Sequence, residues 1–325
     1  MGRKSKKKKG RKRRVVAFIL IMMALFVYKP LLTEGYNQIV EKEHSNKPSS
    51  YSTLNIDNKP SSPISLDKLN SPNAILIRLK DHSILMQKNS NDKIYPASLT
   101  KIMTALVAIE NLPDVKEEIK LTNGTFDGLY EAHASMAGFE PGEEVQAIDL
   151  LYGAMLPSGA ECCNGLAEQI AGSEQSFVEM MNQKAAELGM DNTHFENTTG
   201  LHNENHYTTV KDLAVLLNYA LQNDTFREIF TASGHSTQPT NKHPEGITFY
   251  STTFKELDDE PIKGGEILGG KTGYTEEAGL CLASLAEVGN QEYILISEGA
   301  QGDHHSEQYN ITDAVTVYRN IAKLN

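Results

Sequence analysis

Cysteine is scarce in this sequence: 325 residues hold three, Cys162, Cys163 and Cys281, and two of these are adjacent. That excludes a disulfide-dense scaffold, and the spacing offers no metal-ligand set. The thiols read as buried apolar side chains, with a bridge from Cys281 to one neighbour left open. No segment of about 20 to 50 residues recurs along the chain, which removes solenoids and propellers. Basic residues are also scarce beyond Arg14, where the remaining 21 of the 31 Lys and Arg face all 42 Asp and Glu, a net charge of −21. A domain so acidic does not seek nucleic acid or an anionic membrane surface, and its charge serves solubility.

The missing cations are concentrated at the start. Ten of the first 14 residues are Lys or Arg, none is acidic, and the apolar run 15–28 follows at once. This reads as a targeting segment whose basic end stays in the cytoplasm. The run is shorter than the ~20 residues of a full span, as in a cleaved signal peptide. However, no small residues follow it to make a cleavage site: Leu25, Phe26, Val27, Tyr28 and Lys29 are all large. The expectation is therefore an uncleaved, single-pass anchor over 1–33, and a secreted protein if the segment is cut. Residues 34–71, rich in Ser, Asn, Pro and Lys, read as an extracytoplasmic linker. The rest, 72–325, is one domain with ample residues for a large core.

Within that domain, Ala74-Ile75-Leu76-Ile77 and Ile84-Leu85-Met86-Gln87 read as two strands around a tight turn. Next, Leu99, Ile102, Met103, Leu106 and Ile109 recur at threes and fours, a helix that Pro113 ends. Helices are expected over 147–156, 161–171, 174–188 and 209–221, with a long polar loop over 189–208. Strands return over 267–274, 279–286 and 293–298, and a helix over 311–324 closes the chain. Strands at both ends around a helical insert predict an α+β fold: one sheet shared by the termini, packed by helices, plus a helical lobe, with a cleft between them.

Ser98-Leu99-Thr100-Lys101 puts a hydroxyl and an amine one helical turn apart on one face, so the two can touch. Ser98 also stands at the helix N-terminus, where free N–H groups favour a developing oxyanion. A serine becomes a nucleophile only when a base takes its proton, and a lysine serves only if burial or a nearby cation lowers its pKa. Ser-x-x-Lys alone occurs by chance on the order of once in a chain this long. Lys271-Thr272-Gly273, on a later strand, is expected only about 0.1 times. Lys271 supplies a second cation, Thr272 a hydroxyl, and Gly273 a surface against which a substrate backbone can lie. Between the two motifs, Pro157-Ser158-Gly159 forms a turn that can carry Ser158 to the cleft.

This ordered set resembles the penicillin-binding-protein and serine β-lactamase superfamily. The fuller strings Tyr95-Pro96-Ala97-Ser98-Leu99-Thr100-Lys101, Asn197-Thr198-Thr199-Gly200-Leu201, Tyr207-Thr208-Thr209 and Gly270-Lys271-Thr272-Gly273-Tyr274 resemble the low-molecular-weight D-alanyl-D-alanine carboxypeptidases of peptidase family S11. The resemblance runs from about Asn73 to the C-terminus. It implies a β-lactamase/transpeptidase-like fold, with Ser98 as the acylated nucleophile, Lys101 as its base and Ser158 as a proton relay to the leaving amine. Lys271 and Thr272 would bind the substrate's terminal carboxylate, with Gly273 and Tyr274 beside them, and the N–H groups of Ser98 and Tyr274 would form the oxyanion hole. The implied substrate is a peptidoglycan stem peptide ending in D-Ala-D-Ala, which β-lactams mimic until they stall as acyl-enzymes. No cofactor or metal is implied. The alternatives are a D,D-endopeptidase, a β-lactamase, or a catalytically weak penicillin-binding scaffold.

Two departures from the family's pattern stand out. The middle motif is usually Ser-x-Asn, and here Ala160 replaces the amide that orients the lysine; Glu161 or Asn164, one turn on, are the possible substitutes. Many relatives also carry a β-rich domain after the catalytic one, where this chain stops after one helix. Other candidates read as structural. His202 and His206 lie in a Gly- and Asn-rich loop and not on a helical His-Glu-x-x-His, and His304-His305 read as a surface pair. Glu196 and Glu204, where a deacylating base could be sought, read as solvated loop carboxylates.

Overall fold

The computed structural model describes residues 55–56, 68–257 and 262–323. The basic arm, the apolar run and most of the linker lie outside the described residues. The chain divides into two units, Met1–Ser50 and Tyr51–Asn325, and everything described belongs to the second. Among the described residues no helix is long and apolar enough to cross a membrane.

The unit opens with strands β1 (Asn55–Ile56), β2 (Asn73–Arg78) and β3 (Ser83–Lys88). A 3-10 turn at Ala97–Leu99 then leads into helix α1 (Thr100–Asn111). A small ribbon of β4 (Glu118–Lys120) and β5 (Glu144–Gln146) precedes helices α2 (Ala147–Met155), α3 (Ala160–Ala171), α4 (Glu174–Glu187), α5 (Val210–Ala220) and α6 (Asp224–Thr231). After a hairpin of β6 (Gly234–Ser236) and β7 (Thr248–Tyr250) comes the one-turn helix α7 (Thr252–Glu256). The long strands β8 (Gly265–Thr275), β9 (Gly279–Val288) and β10 (Gln291–Ala300) and helix α8 (Tyr309–Ala322) complete the fold.

The main sheet runs β1-β3-β2-β10-β9-β8, so both ends of the chain share it, as the order of strands and helices in the sequence predicts. It is antiparallel except where β1 meets β3. Gly289 and Asn290 join β9 to β10, and their positive φ values of 59° and 58° suit the two-residue turn whose twist matches the strands. Side chains alternate across β10. Ile294 and Ile296 enter the core shared with the helical lobe, while Tyr293 and Leu295 enter a second core beneath α8. α8 buries Ile311, Ala314, Val317, Tyr318 and Ile321, spaced by threes and fours, and the Tyr318 hydroxyl meets Ser284 Oγ at 3.0 Å.

The helical lobe is held by local signals of the same kind. Ser173, Thr209 and Asn223 cap α4, α5 and α6 through side-chain oxygens that accept from backbone N–H groups. Gly172, at φ 78°, ends α3 in the left-handed conformation that glycine adopts without cost.

One residue of this sheet works against stability. Glu298 on β10 is 1% exposed, and no N–H or O–H group donates to either carboxylate oxygen, which leaves only the Cys281 thiol beside it. Burial pushes its carboxyl well above the usual carboxylate range, with only the Cys281 thiol opposing that shift. The folded state therefore keeps the acid neutral while the unfolded chain ionises above about pH 4.3. The resulting penalty on folding grows as pH rises through that value. Glu298→Met is expected to stabilise the protein by about 1–3 kcal/mol at pH 7. Urea unfolding should show the gain shrinking toward pH 4; a gain that is absent at pH 7 would contradict this account.

Candidate active site

The turn Pro96-Ala97-Ser98 is forced into an unusual conformation. Ala97 has φ 45°, a left-handed value that a Cβ disfavours. It is held there by the loop 197–201, in which the Asn197 carboxamide oxygen accepts from the Thr199 and Gly200 N–H groups at 3.2 and 2.7 Å. Gly200 then backs onto the Ala97 carbonyl so closely that a Cβ at this position would lie 1.8 Å from its oxygen. Glycine is required here by contact as well as by its φ of 84°. On the other side Gly273 faces the same turn, where an added Cβ would stand 3.1 Å from the Ser98 nitrogen. β8 is an edge strand of the sheet, and its Gly273 lets it approach the nucleophile turn.

Ser98 emerges half-buried at the start of α1, and Lys101, one turn on and 2% exposed, donates to it at 3.0 Å. The same Nζ donates to the Thr199 carbonyl at 2.6 Å. Thr104, one turn further, donates to the Thr198 carbonyl at 2.7 Å, so α1 and the 197–201 loop are joined at two points. Desolvation pushes the Lys101 ammonium below the usual lysine range, partly offset by Cys163 and Glu161 nearby.

A second hydroxyl–amine pair stands beside the first. Ser158, in the turn between α2 and α3, has φ 69° and is 6% exposed. Lys271 on β8, with no exposed surface, donates to Ser158 Oγ at 3.0 Å and to the Thr272 carbonyl at 2.8 Å. Burial and the neighbouring Lys101 push the Lys271 ammonium well below the usual lysine range. Two buried amines, each touching a serine hydroxyl, are what proton transfer near neutral pH requires.

These groups border a cavity of 210 Å³ whose walls include Ser98, Ser158, Thr272, Gly273 and Tyr274. The sequence-derived set is thus brought together, with one difference: Lys101 and Lys271 stand behind Ser98 and Ser158 and are not part of the cavity wall. Sequence reasoning missed Thr252, whose hydroxyl meets that of Thr272 at 2.7 Å, and Ser135, which is brought in by a loop. No motif marks either. His304, read as a surface residue, is exposed but also lines this cavity, its ring edge-on to Tyr274 at 4.9 Å.

A profile of the family described as D-alanyl-D-alanine carboxypeptidase matches residues 57–302. The chain belongs to that family. It is 36% identical to the D-alanyl-D-alanine carboxypeptidase DacF of Bacillus subtilis over 231 residues, 70% of this chain and 57% of the relative. A D-alanyl-D-alanine carboxypeptidase of Streptomyces sp. K15 is 30% identical over 65% of this chain and 74% of its own length. The chain spans little more than half the length of its Bacillus subtilis and Escherichia coli relatives DacF and DacC. Among solved structures, the Streptomyces K15 DD-transpeptidase covers 80% of the chain with a TM-score of 0.71 at 26% identity, all of its own chain included. The fold is the β-lactamase/transpeptidase-like one expected.

Against this D-alanyl-D-alanine carboxypeptidase background, the altered middle motif can be placed. The Asn164 amide is already occupied, donating to the Thr125 carbonyl at 3.1 Å and accepting from the Thr198 hydroxyl at 3.0 Å. Glu161 Oε1 accepts from the Ala137 and Gly138 N–H groups at 2.7 and 2.9 Å, fixing the loop that presents Ser135. Neither supplies an amide in place of the missing one, and Lys101 is oriented instead by the Thr199 carbonyl. The remaining candidates fall outside the cavity. His206 is buried, and burial pushes its ring down to about 3, so it is neutral. Its Nδ1 accepts from the Glu196 N–H, so Nε2 donates to Thr100 Oγ1 at 2.9 Å. Glu196 also meets His194, and Glu204 is exposed. All three cysteines are free, so the bridge left open for Cys281 is not formed.

Proposed function

We propose that the chain is a peptidoglycan-processing serine D-alanyl-D-alanine carboxypeptidase that works through an acyl-enzyme on Ser98. The observation that carries this reading is the pair of contacts Lys101 Nζ–Ser98 Oγ and Lys271 Nζ–Ser158 Oγ, both at 3.0 Å and both at one cavity. Lys101, as free amine, takes the Ser98 proton while Oγ attacks the carbonyl carbon between the two D-Ala residues. The N–H groups of Ser98 and Tyr274 hold the oxyanion. The peptide C–N bond breaks, Ser158 passes a proton to the leaving nitrogen, and the terminal D-Ala departs. Water then attacks the ester, Ser98 Oγ recovers a proton, and the shortened peptide leaves as a carboxylate. A β-lactam acylates the same oxygen, but its leaving nitrogen stays tethered by the ring and obstructs water.

The domain limits are proposed with the function: a basic segment and anchor over 1–33, an extracytoplasmic linker over 34–71 and the catalytic domain over 72–325. The anchor holds the enzyme at the outer face of the cell membrane, where stem peptides lie. The test is to incubate the protein with a peptide ending in D-Ala-D-Ala and to follow D-Ala release, with intact mass after a β-lactam in parallel. Release together with a stable one-to-one adduct is expected. Fast turnover of the β-lactam would point to a lactamase, and a folded protein with neither release nor adduct would leave only a binding role.

A further inference from the structure

The substrate of this reaction carries a free carboxylate one residue beyond the bond that breaks, and a carboxylate that leaves water for a cavity must meet a cation or hydrogen-bond donors there. Lys271, the cation expected from the sequence, is poorly placed for this. Its Nζ is buried behind Ser158 and already donates to Ser158 Oγ and to the Thr272 carbonyl. Lys101 is engaged with Ser98 and Thr199. The cavity wall itself carries one lysine, Lys255, and one imidazole, His304.

The fold sets Lys255 at that wall. α7 is docked between the two catalytic segments: the Thr252 N–H donates to the Leu156 carbonyl at 3.2 Å, just before the Ser158 turn, and the Thr252 hydroxyl meets that of Thr272 on β8. Thr253 is fully buried against Gly270, where an added Cβ would stand 2.9 Å from its methyl group. Lys255 lies three residues after Thr252, on the same side of the turn, and the two line the cavity together. Its side chain is exposed. Glu256 also lines the cavity, but it stands on the border shared with a second groove, of 440 Å³, along α8.

We propose that Lys255 is the cation that receives the substrate's terminal carboxylate, alongside the Thr272 hydroxyl, and so makes the enzyme select peptides with a free C-terminus. The assignment rests on the carboxypeptidase reading above. It gives α7, which no motif announces, a role in substrate selection. It also leaves Lys271 to act on Ser158 and not on the substrate.

The test compares kcat/KM for two peptides that differ only at the last residue, one ending in D-Ala-D-Ala and the other in its C-terminal amide, in wild type, Lys255→Met and Lys255→Arg. Lys255→Met is expected to lose about 10- to 100-fold on the free acid, mainly through KM, with the amide unaffected, and Lys255→Arg to recover most of the loss. If Lys255→Met keeps the wild-type ratio between the peptides, or if wild type treats the two alike, the assignment is overturned while the carboxypeptidase reading stands. If wild type releases nothing from either peptide, the reading itself fails and the assignment with it. An unchanged melting temperature in Lys255→Met separates a lost contact from a damaged fold.

Discussion

Ser98→Ala is expected to lose at least about 10⁴-fold in D-Ala release and to form no adduct with a β-lactam, while its stability stays within about 1 kcal/mol of wild type. Two serines at the cavity touch a buried lysine amine at the same distance, so the choice between them needs a reason. Ser98 is half-buried at the mouth of a helix N-terminus, next to Gly273 on an edge strand that an extended peptide can join. Ser158 is 6% exposed and lies in a left-handed turn, a position suited to passing a proton but not to holding an acyl chain. Removing Ser98 Oγ leaves Lys101 bonded to the Thr199 carbonyl, so no buried amine is orphaned and the fold should survive. The decisive measurement is intact mass after exposure to a β-lactam. An adduct that persists in Ser98→Ala would move the nucleophile to Ser158 or Ser135 and sink the assignment. One that vanishes there but forms in Ser158→Ala would fix the roles of both.

How much of this was legible in the sequence follows from which forces hold each part. The three long C-terminal strands, α1 to α5 and α8 announce themselves, because each buries an apolar face and so carries a 2- or 3.6-residue period. α6 carries the same signal in only eight residues, burying Phe226, Ile229 and Phe230 behind its Asn223 cap, whereas the β6–β7 hairpin and α7 do not carry it. The hairpin is short and polar, Gly-His-Ser against Thr-Phe-Tyr, and it is fastened by side chains: His235 meets Asp149 at 2.6 Å and His243 meets Glu143 at 2.8 Å. Nothing in a hydropathy pattern encodes pairs of residues so distant in the chain. The site divides along the same line. Ser98 and Lys101 are one helical turn apart and Lys271 follows from a short motif, so their chemistry can be read locally. Ser135, Thr252, Lys255 and His304 reach the cavity only through tertiary packing. The sequence could show that the amide of the middle motif is missing at Ala160. It could not show that the Thr199 carbonyl, 98 residues from Lys101, holds the base in its place.

Replacing Lys101 by either Met or Arg is expected to slow acylation by about 10³- to 10⁴-fold, and the Arg variant is the more informative of the two. Arginine keeps the positive charge and can still donate to the Thr199 carbonyl, but its guanidinium does not give up a proton at any accessible pH. If Lys101 served only as a fixed charge for the oxyanion, Lys101→Arg would retain much of the rate. If it is the base, only the neutral amine works, and the wild-type acylation rate must rise with pH as Lys101 loses its proton. Burial lowers the pKa of this group, so the rise should fall below the 10.5 of an ordinary lysine. It should also be absent from the residual activity of Lys101→Arg. The neighbouring amine sharpens the expectation, because Lys271 is buried as well and Lys101 disfavours its charge, so its proton is held less tightly still. Lys271 therefore gives up its proton first and is neutral when Lys101 titrates, so in Lys271→Met the ascending limb of the profile should keep its position. Stopped-flow acylation by a chromogenic β-lactam between pH 5 and 10, in the three proteins, reads both effects. A profile that rises only near 10.5, or a Lys101→Arg enzyme with a tenth or more of the wild-type rate, would exclude Lys101 as the base and leave the Ser98 proton to another acceptor.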